Sequence, residues 1–481
     1  MCRPRYGPVN VSTTDPIHLF EEAARRWPLR PALRLHGRTI TYAELDGWGN
    51  AIAHRIIRKG YGGARIALMA EKKAGSYATI LGILKAGSSY VPLPPDGPAD
   101  RWSTMIAKAG VRAMVGGRSV DDLDLIDPSA VGNTTLPVPP AYEEAYVLFT
   151  SGSTGGPKGV SVSRSNVAAY LSHQLAVNEF NETDRFSQFF ALTFDLSVHD
   201  LFVCWSVGAC LCVPTGDQVM RAVAFAQEEG ITVWFSVPSL LVLQQRMRAL
   251  GADVLPKVRK AFFCGEAFTW PVARAFAAAA PHAQLVNLYG PTETTIAITG
   301  NVIDRAAMGQ EGVVPIGRPF AQAEARIIDE ELELSGPQLA AGYVADPSAT
   351  ARAFRSEQGA RWYRTGDRVW MDDEYVLHYL GRLDDQVKIM GHRVEPAEVD
   401  AALVPVLGGQ HAITLPKVEA GTIRLYTFVQ GEVDQPRLMN ELRRALPSYM
   451  LPEKIIGVDR MPVTAHGKLD RKALLDRLDH G

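Results

Sequence analysis

The stretch Leu148–Val160, LFTSGSTGGPKGV, decides how this chain is read. A strand-like run, Tyr146–Phe149, meets a loop of threonine, serine and glycine that ends at Lys158. Glycine reaches backbone angles closed to other residues, so such a loop can turn several N–H groups and hydroxyls toward phosphate oxygens. Lys158 adds a cation. The pattern is not a Walker-type loop, which ends in Gly-Lys-Ser/Thr opening a helix. Here Pro157 precedes the lysine, and Gly159 and Val160 follow it. Taken alone, a glycine–serine loop is equally a flexible surface turn.

Outward from this loop, helical and strand-like patterns alternate. Ile17–Trp27 carries apolar residues at helical spacing, and Thr41 stands as a cap before Tyr42–Leu45. Ala64–Ala70 reads as a buried strand, Ala74–Lys85 as a helix, Ser89–Leu93 as a strand and Pro94–Pro98 as a turn. The alternation continues to about residue 320 and predicts an α/β fold with several largely parallel strands. Asp121–Pro140, rich in Asp, Pro, Ser and Thr, is expected to run over the surface. The texture changes near Gly381–Asp385. Beyond it lie a helix at Pro396–Leu403, a strand at Ile423–Val429, a helix at Gln435–Leu446 and a further strand, a small α+β unit. The expected domains are therefore 1–383 and 384–481, with the boundary at Asp384.

The chain has 481 residues, too many for one ordinary core. Lysine plus arginine number 50 against 52 acidic residues, so no global field favours nucleic acid or an anionic membrane. Neither partner is expected. The cysteines Cys2, Cys204, Cys210, Cys212 and Cys264 form no CxxC pair, which argues against a zinc site. The N-terminus lacks an apolar signal region, and the apolar stretch Leu201–Pro214 is broken by Trp205-Ser206 and glycines. A cytoplasmic protein without a membrane span is expected.

Other motifs follow the loop in order: Phe194–Asp200 (FDLSVHD), Asn287–Thr295 (NLYGPTETT), Gly336–Tyr343 (GPQLAAGY) and Tyr363–Val369 (YRTGDRV). Gly381–Glu395 (GRLDDQVKIMGHRVE), Leu446–Pro452 (LPSYMLP) and His466–Lys472 (HGKLDRK) close the series. Together they resemble the adenylate-forming superfamily. It includes nonribosomal peptide synthetase adenylation domains, acyl-CoA synthetases and luciferases. The resemblance spans nearly the whole chain. It implies a large N-terminal domain of several sheets and helices with a small, mobile α+β C-terminal domain.

The chemistry implied is attack of a carboxylate on the α-phosphate of ATP, which brings two anions together and demands neutralising charge. The resemblance assigns Thr150, Ser151, Gly152, Ser153, Thr154, Gly155 and Lys158 to the phosphates, and Lys468 to the carboxylate and α-phosphate. Read alone, Lys468 is a solvated lysine in a basic tail. Glu293 is implied as the Mg²⁺ ligand, since this ion takes few protein carboxylates plus phosphate oxygens; Thr292 belongs to the same motif. Asp367 and Arg382 are implied at the ribose, and Tyr289 and Tyr379 as rings that sandwich adenine, although either tyrosine also suits a core. Asp384 resembles a hinge. The swing about it would present Lys468 for adenylation, then the Lys388–Gly391 loop for thioester formation.

Asp195 is the most informative pocket residue. Amino-acid-activating members pair an aspartate here with the substrate ammonium, whereas aryl-acid and fatty-acid members generally lack it. The other reading is a capping Asp before the helix. Matching assigns Leu196, His199, Ser236, Phe262, Cys264, Leu288, Ile296 and Ala297 to the remaining lining. It contains no carboxylate or arginine, which suits a small or medium uncharged amino acid. His199 either offers a hydrogen bond or is a packed core histidine.

FDLSVHDLF and FFCGEAF look like the D-alanine–carrier-protein ligases, and free-standing prolyl and β-amino-acid enzymes share this texture. Candidate substrates are D- or L-alanine, proline and a β-amino acid. The expected acceptor is the phosphopantetheine of a separate carrier protein, because no attachment sequence follows before Gly481. The rival readings are an acyl- or aryl-CoA synthetase acting on an amine-free acid and a non-catalytic nucleotide-binding relative. Two departures stand out: Ile327–Leu334 (IIDEELEL) is short, with most of a β-hairpin expected to be missing, and His466 replaces the usual asparagine.

Overall fold

Asp15 opens the first helix, Pro16–Arg26, by accepting the N–H groups of Ile17 and His18, and Pro16 occupies the first turn, where no donor is needed. The computed structural model describes residues 15–478 apart from 118–119, 153–155, 408–409, 420–421 and 463–468. Ile17, Phe20, Ala23 and Ala24 of this helix face inward. The next helix, Tyr42–Arg58, begins with the expected cap. Thr41 and Glu44 exchange side-chain and backbone hydrogen bonds in a capping box. Ala74–Lys85 forms as expected and is buried almost all round. Its Lys85 ammonium lies out of solvent, 2.8 Å from Glu21 and 2.7 Å from Asp46. That triad ties three helices together, and loss of one partner would strand a buried charge.

The chain divides into two compact units. The first comprises Met1–Pro95, Ile106–Leu148 and Gly159–Leu383; the second comprises Asp96–Met105, Phe149–Lys158 and Asp384–Gly481. Among the described residues, the strands form sheets of nine, seven and five strands, a three-stranded sheet and a hairpin. In the nine-stranded sheet, Gln284–Tyr289, Lys260–Phe263, Val233–Ser236, Arg185–Ser187, Cys210–Val213 and Pro31–Leu35 run parallel in that order. Arg38–Thr41 and Thr299–Val302 pair antiparallel beside them. The seven-stranded sheet carries Arg65–Met69, Ser89–Leu93, Ala113–Val115, Asp124–Ile126 and Glu144–Thr150 as parallel neighbours. This is the α/β architecture anticipated.

One local expectation holds with an addition, and one needs correction. The segment Asp121–Pro140 is largely exposed, but Asp124–Ile126 adds an edge strand, and Arg55 and Trp48 donate to the carbonyls of Ser129 and Pro128. The short Ile327–Leu334 segment does form a hairpin. Glu324–Ile328 pairs with Glu331–Ser335 across a two-residue turn, Asp329-Glu330, both with positive φ. That geometry twists as the strands do, which is why so short a connection closes.

The second unit builds its own core from Val394, Val399, Leu403, Leu425, Val429, Leu438, Leu442 and Ile455. Helices Pro396–Leu403 and Gln435–Ala445 accompany the sheet of Ala412–Glu419, Thr422–Gln430 and Lys454–Val458. Among the described residues, no helix is long and apolar enough to cross a membrane.

Candidate functional site

The parallel strands of the large sheet end at the residues assigned to substrate. Ser236 closes Val233–Ser236 and Cys264 follows Lys260–Phe263, while Leu288 and Tyr289 close Gln284–Tyr289. Open α/β sheets bind ligands beyond these carboxyl ends. Phe262 lies on the same sheet, in register between Phe235 and Val286. Leu196, Phe262, Cys264, Leu288, Tyr289, Ile296 and Ala297 belong to one buried cluster.

Asp195 stands at the head of the helix Leu196–Ser206, 4% exposed, and its side chain makes no capping hydrogen bond. The capping alternative therefore fails at this aspartate. Its turn is closed locally by the Ser197 hydroxyl, which donates to the Phe194 carbonyl at 2.7 Å, while upstream Lys72 donates to the carbonyls of Gln188 and Phe189 at 2.9 Å each. One helical turn after Asp195, His199 is fully buried. Its Nδ1 lies 2.6 Å from the Tyr170 hydroxyl, while the ring of Phe235 packs edge-on at 4.7 Å. Ser236 accepts the Trp234 indole N–H at 2.8 Å.

Thr292, Glu293 and Thr294 form a single 3₁₀ turn, after which Thr295 and Ile296 adopt positive φ of 57° and 72°. For branched side chains this conformation costs about 1–3 kcal/mol and persists only where the surroundings enforce it. Gln338 does so. Its amide donates to the carbonyls of Thr294, Thr295 and Ala297, and its own backbone carbonyl accepts the Thr295 hydroxyl at 2.6 Å. At Gly290 a Cβ would meet Ala297 Cα at 2.6 Å, so only glycine admits this fold-back. The Glu293 carboxylate, 1% exposed, accepts the Tyr343 hydroxyl at 2.6 Å. Gln338 and Tyr343 stand within a recognisable motif, but their tasks could not be read from it. Their partners lie 41 to 50 positions away, beyond any local pattern.

The Asp367 carboxylate accepts the Tyr289 hydroxyl at 2.5 Å and an Arg382 N–H at 3.0 Å. Burial, with Asp367 beside it, drives the Tyr289 phenol well above its usual range, so it remains a donor. Arg382 also donates to the Thr365 carbonyl at 2.7 Å. Tyr379 is on the adjoining strand Leu377–Arg382, opposite Val369, and packs partly buried against the main core. A carboxylate held by a phenol and a guanidinium is a pre-oriented acceptor for vicinal hydroxyls.

In the second unit, Thr150 ends its strand and Lys158 begins the next. A Cβ on Gly152 would fall 2.3 Å from the Gly156 carbonyl, so the turn requires glycine. Ser151 donates its hydroxyl to the Arg393 carbonyl at 2.6 Å, and Gly152 N–H reaches Glu398 at 3.3 Å. Glu398 also binds Arg101 at 2.7 Å, a link no motif announced. Lys388 lies on the hairpin Val387–Ile389/His392–Val394, turned by Met390 and Gly391 with positive φ. The Asp384 carboxylate accepts the Gln386 N–H at 3.3 Å. Ser153, Thr154, Gly155 and Lys468 lie outside the described residues.

Burial lowers His199 to about 3 and His173 to about 4, from 6.5. Both depressed values mean that the unfolded chain binds more protons below pH 6.5. Their contribution to stability is thus complete above that pH and is lost as pH falls toward 4. Thermal or urea unfolding should show stability falling by up to about 1.4 kcal/mol per pH unit for each histidine. A His173→Phe variant should have the shallower slope, and an identical slope would contradict this account.

A family model described as AMP-binding enzyme matches residues 20–344. A plipastatin synthase of Bacillus subtilis (strain 168) is 34% identical over 495 residues, covering 96% of this chain and 19% of that protein. Malpinin synthetase of Mortierella alpina is 32% identical over 510 residues, covering 95% of this chain and 6% of its own length. The chain thus spans a fifth or less of these relatives. Among solved structures, the Vibrio cholerae adenylation domain AlmE in complex with glycyl-adenosine-5'-phosphate superposes with a TM-score of 0.86 at 28% identity, covering 100% of both chains. PA1221, an NRPS protein containing adenylation and PCP domains, bound to a vinylsulfonamide inhibitor, gives 0.83 at 26% identity over 97% of this chain and 85% of its own. Family match and sheet topology agree: the chain belongs to the AMP-binding enzyme family.

Proposed function

We propose that this protein activates a small or medium uncharged amino acid with ATP and passes it to the phosphopantetheine thiol of a separate carrier protein. Asp195 carries the reading. Its buried carboxylate caps no helix, and a substrate ammonium placed beside it would pair with its charge out of water. The substrate carboxylate oxygen then attacks the α-phosphorus of ATP, the bond to the β-phosphate breaks, and pyrophosphate leaves.

Lys468 and Lys158 neutralise the converging anions, and Asp367 with Arg382 orients the ribose. Tyr289 and Tyr379 flank the adenine. Glu293 fits a Mg²⁺ site: its buried carboxylate is anchored by Tyr343, and this hard cation needs only one or two such ligands beside phosphate oxygens. When bound, the ion would offset phosphate charge. In the second step a thiolate attacks the acyl carbon and AMP departs, with Lys388 and its hairpin serving that stage after a turn about Asp384. Dependence on ATP puts the reaction in the cytoplasm. The candidates remain D- or L-alanine, proline and a β-amino acid.

Loading tests the second step. A radiolabelled substrate amino acid with ATP should label a phosphopantetheinylated carrier and leave the unmodified carrier blank. Lys388→Ala should slow loading far more than ATP–pyrophosphate exchange. Efficient transfer to free coenzyme A with none to the carrier would instead support the acyl-CoA synthetase reading.

A further inference from the structure

His199 leaves one hydrogen-bonding position unfilled. Its Nδ1 engages the Tyr170 hydroxyl at 2.6 Å, yet its Nε2, fully buried, has no hydrogen-bond partner among the described residues. A buried polar atom without a partner is disfavoured and points to a missing ligand group. The ring cannot escape by charging, because burial holds it neutral to about pH 3. Nor can it turn freely: Phe235 packs edge-on at 4.7 Å, Phe262 at 5.4 Å and Tyr170 at 5.8 Å.

The tautomer follows from Tyr170. Burial drives this phenol well above its usual range, so it keeps its proton, and His199 Nδ1 is the acceptor within its reach. The phenol therefore donates to Nδ1, and the imidazole hydrogen resides on Nε2 as a donor. His199 follows Asp195 by four residues, which places both on one face of the helix Leu196–Ser206.

We propose that Tyr170 holds His199 as a neutral donor and that the pair selects an amino acid whose side chain carries a hydroxyl. This rests on the amino-acid reading above and, within its small or medium uncharged class, favours hydroxylated side chains over the alanine, proline and β-amino-acid candidates. Surrounding phenylalanines disfavour a charged side chain. A hydroxyl supplies the required acceptor and brings a single proton, whereas an amide brings two donors among apolar walls. Tyr170, on the helix Arg164–Val177, acts through His199 and is a positioning residue.

The test compares kcat/KM in ATP–pyrophosphate exchange for serine against alanine and threonine against valine, in both enantiomers. The best hydroxylated substrate should exceed its counterpart by about tenfold or more, the worth of one buried hydrogen bond. Tyr170→Phe should bring that ratio toward one, a change that general loss of folding would not produce. Parity or an apolar preference in the unaltered protein overturns the proposal while leaving amino-acid activation intact, and it decides the matter even if the variant does not fold. An unchanged ratio in Tyr170→Phe overturns the part given to Tyr170. Exchange driven only by amine-free acids defeats the amino-acid reading itself.

Discussion

Lys468→Ala should lower the rate of adenylate formation by about 10²–10³-fold or more, the loss seen when one preorganised charge-stabilising group is removed. The reaction drives a carboxylate onto a polyanion, and in the transition state the like charges stand closer together and shift toward the leaving pyrophosphate. A lysine bridging the two therefore acts mainly on kcat and much less on ATP affinity. Single-turnover formation of the adenylate, with a melting curve to verify folding, measures this. Near-normal adenylation by a folded Lys468→Ala protein would remove Lys468 from the mechanism. The same result would revive a reading in which this lysine is solvated surface.

Asp195→Ala should lower kcat/KM for the preferred amino acid by about 30-fold to several thousand-fold, equivalent to the 2–5 kcal/mol lost when one partner of a buried charge pair is truncated. Asp195 is 4% exposed, and its carboxylate serves no cap. The substrate ammonium left opposite an alanine would be desolvated without compensation. The ratio between an amino acid and its deaminated counterpart, for example alanine against propionate, should collapse with it. A variant that retains the ratio would show that the amine is recognised elsewhere.

Much of this was legible in the sequence because the relevant signals are local. Thr41 with Glu44 announced a capped helix, and the apolar run Ala74–Lys85 formed as read. The Pro396–Leu403 helix carries its own start signal in Pro396. What escaped notice depends on tertiary partners. Tyr343 reaches Glu293 and Gln338 reaches Ala297 across long separations, and nothing near either residue marks the contact. The Asp329-Glu330 turn was hidden for a different reason: it adopts a conformation that usually selects Gly or Asn. The strained Thr295-Ile296 pair likewise exists because Gln338 and the fold-back at Gly290 hold it. His199 could be read two ways from sequence. Its bond to Tyr170 and its unfilled Nε2 became visible only once two separate helices were assembled.

The central claim is amino-acid activation, and substrate-dependent ATP–pyrophosphate exchange tests it most directly. The panel comprises D- and L-alanine, proline, serine, threonine, β-alanine and further β-amino acids, set against propionate, benzoates and fatty acids. The account predicts exchange with one or a few uncharged amino acids and none with the amine-free acids. Exchange driven only by an amine-free acid would contradict it.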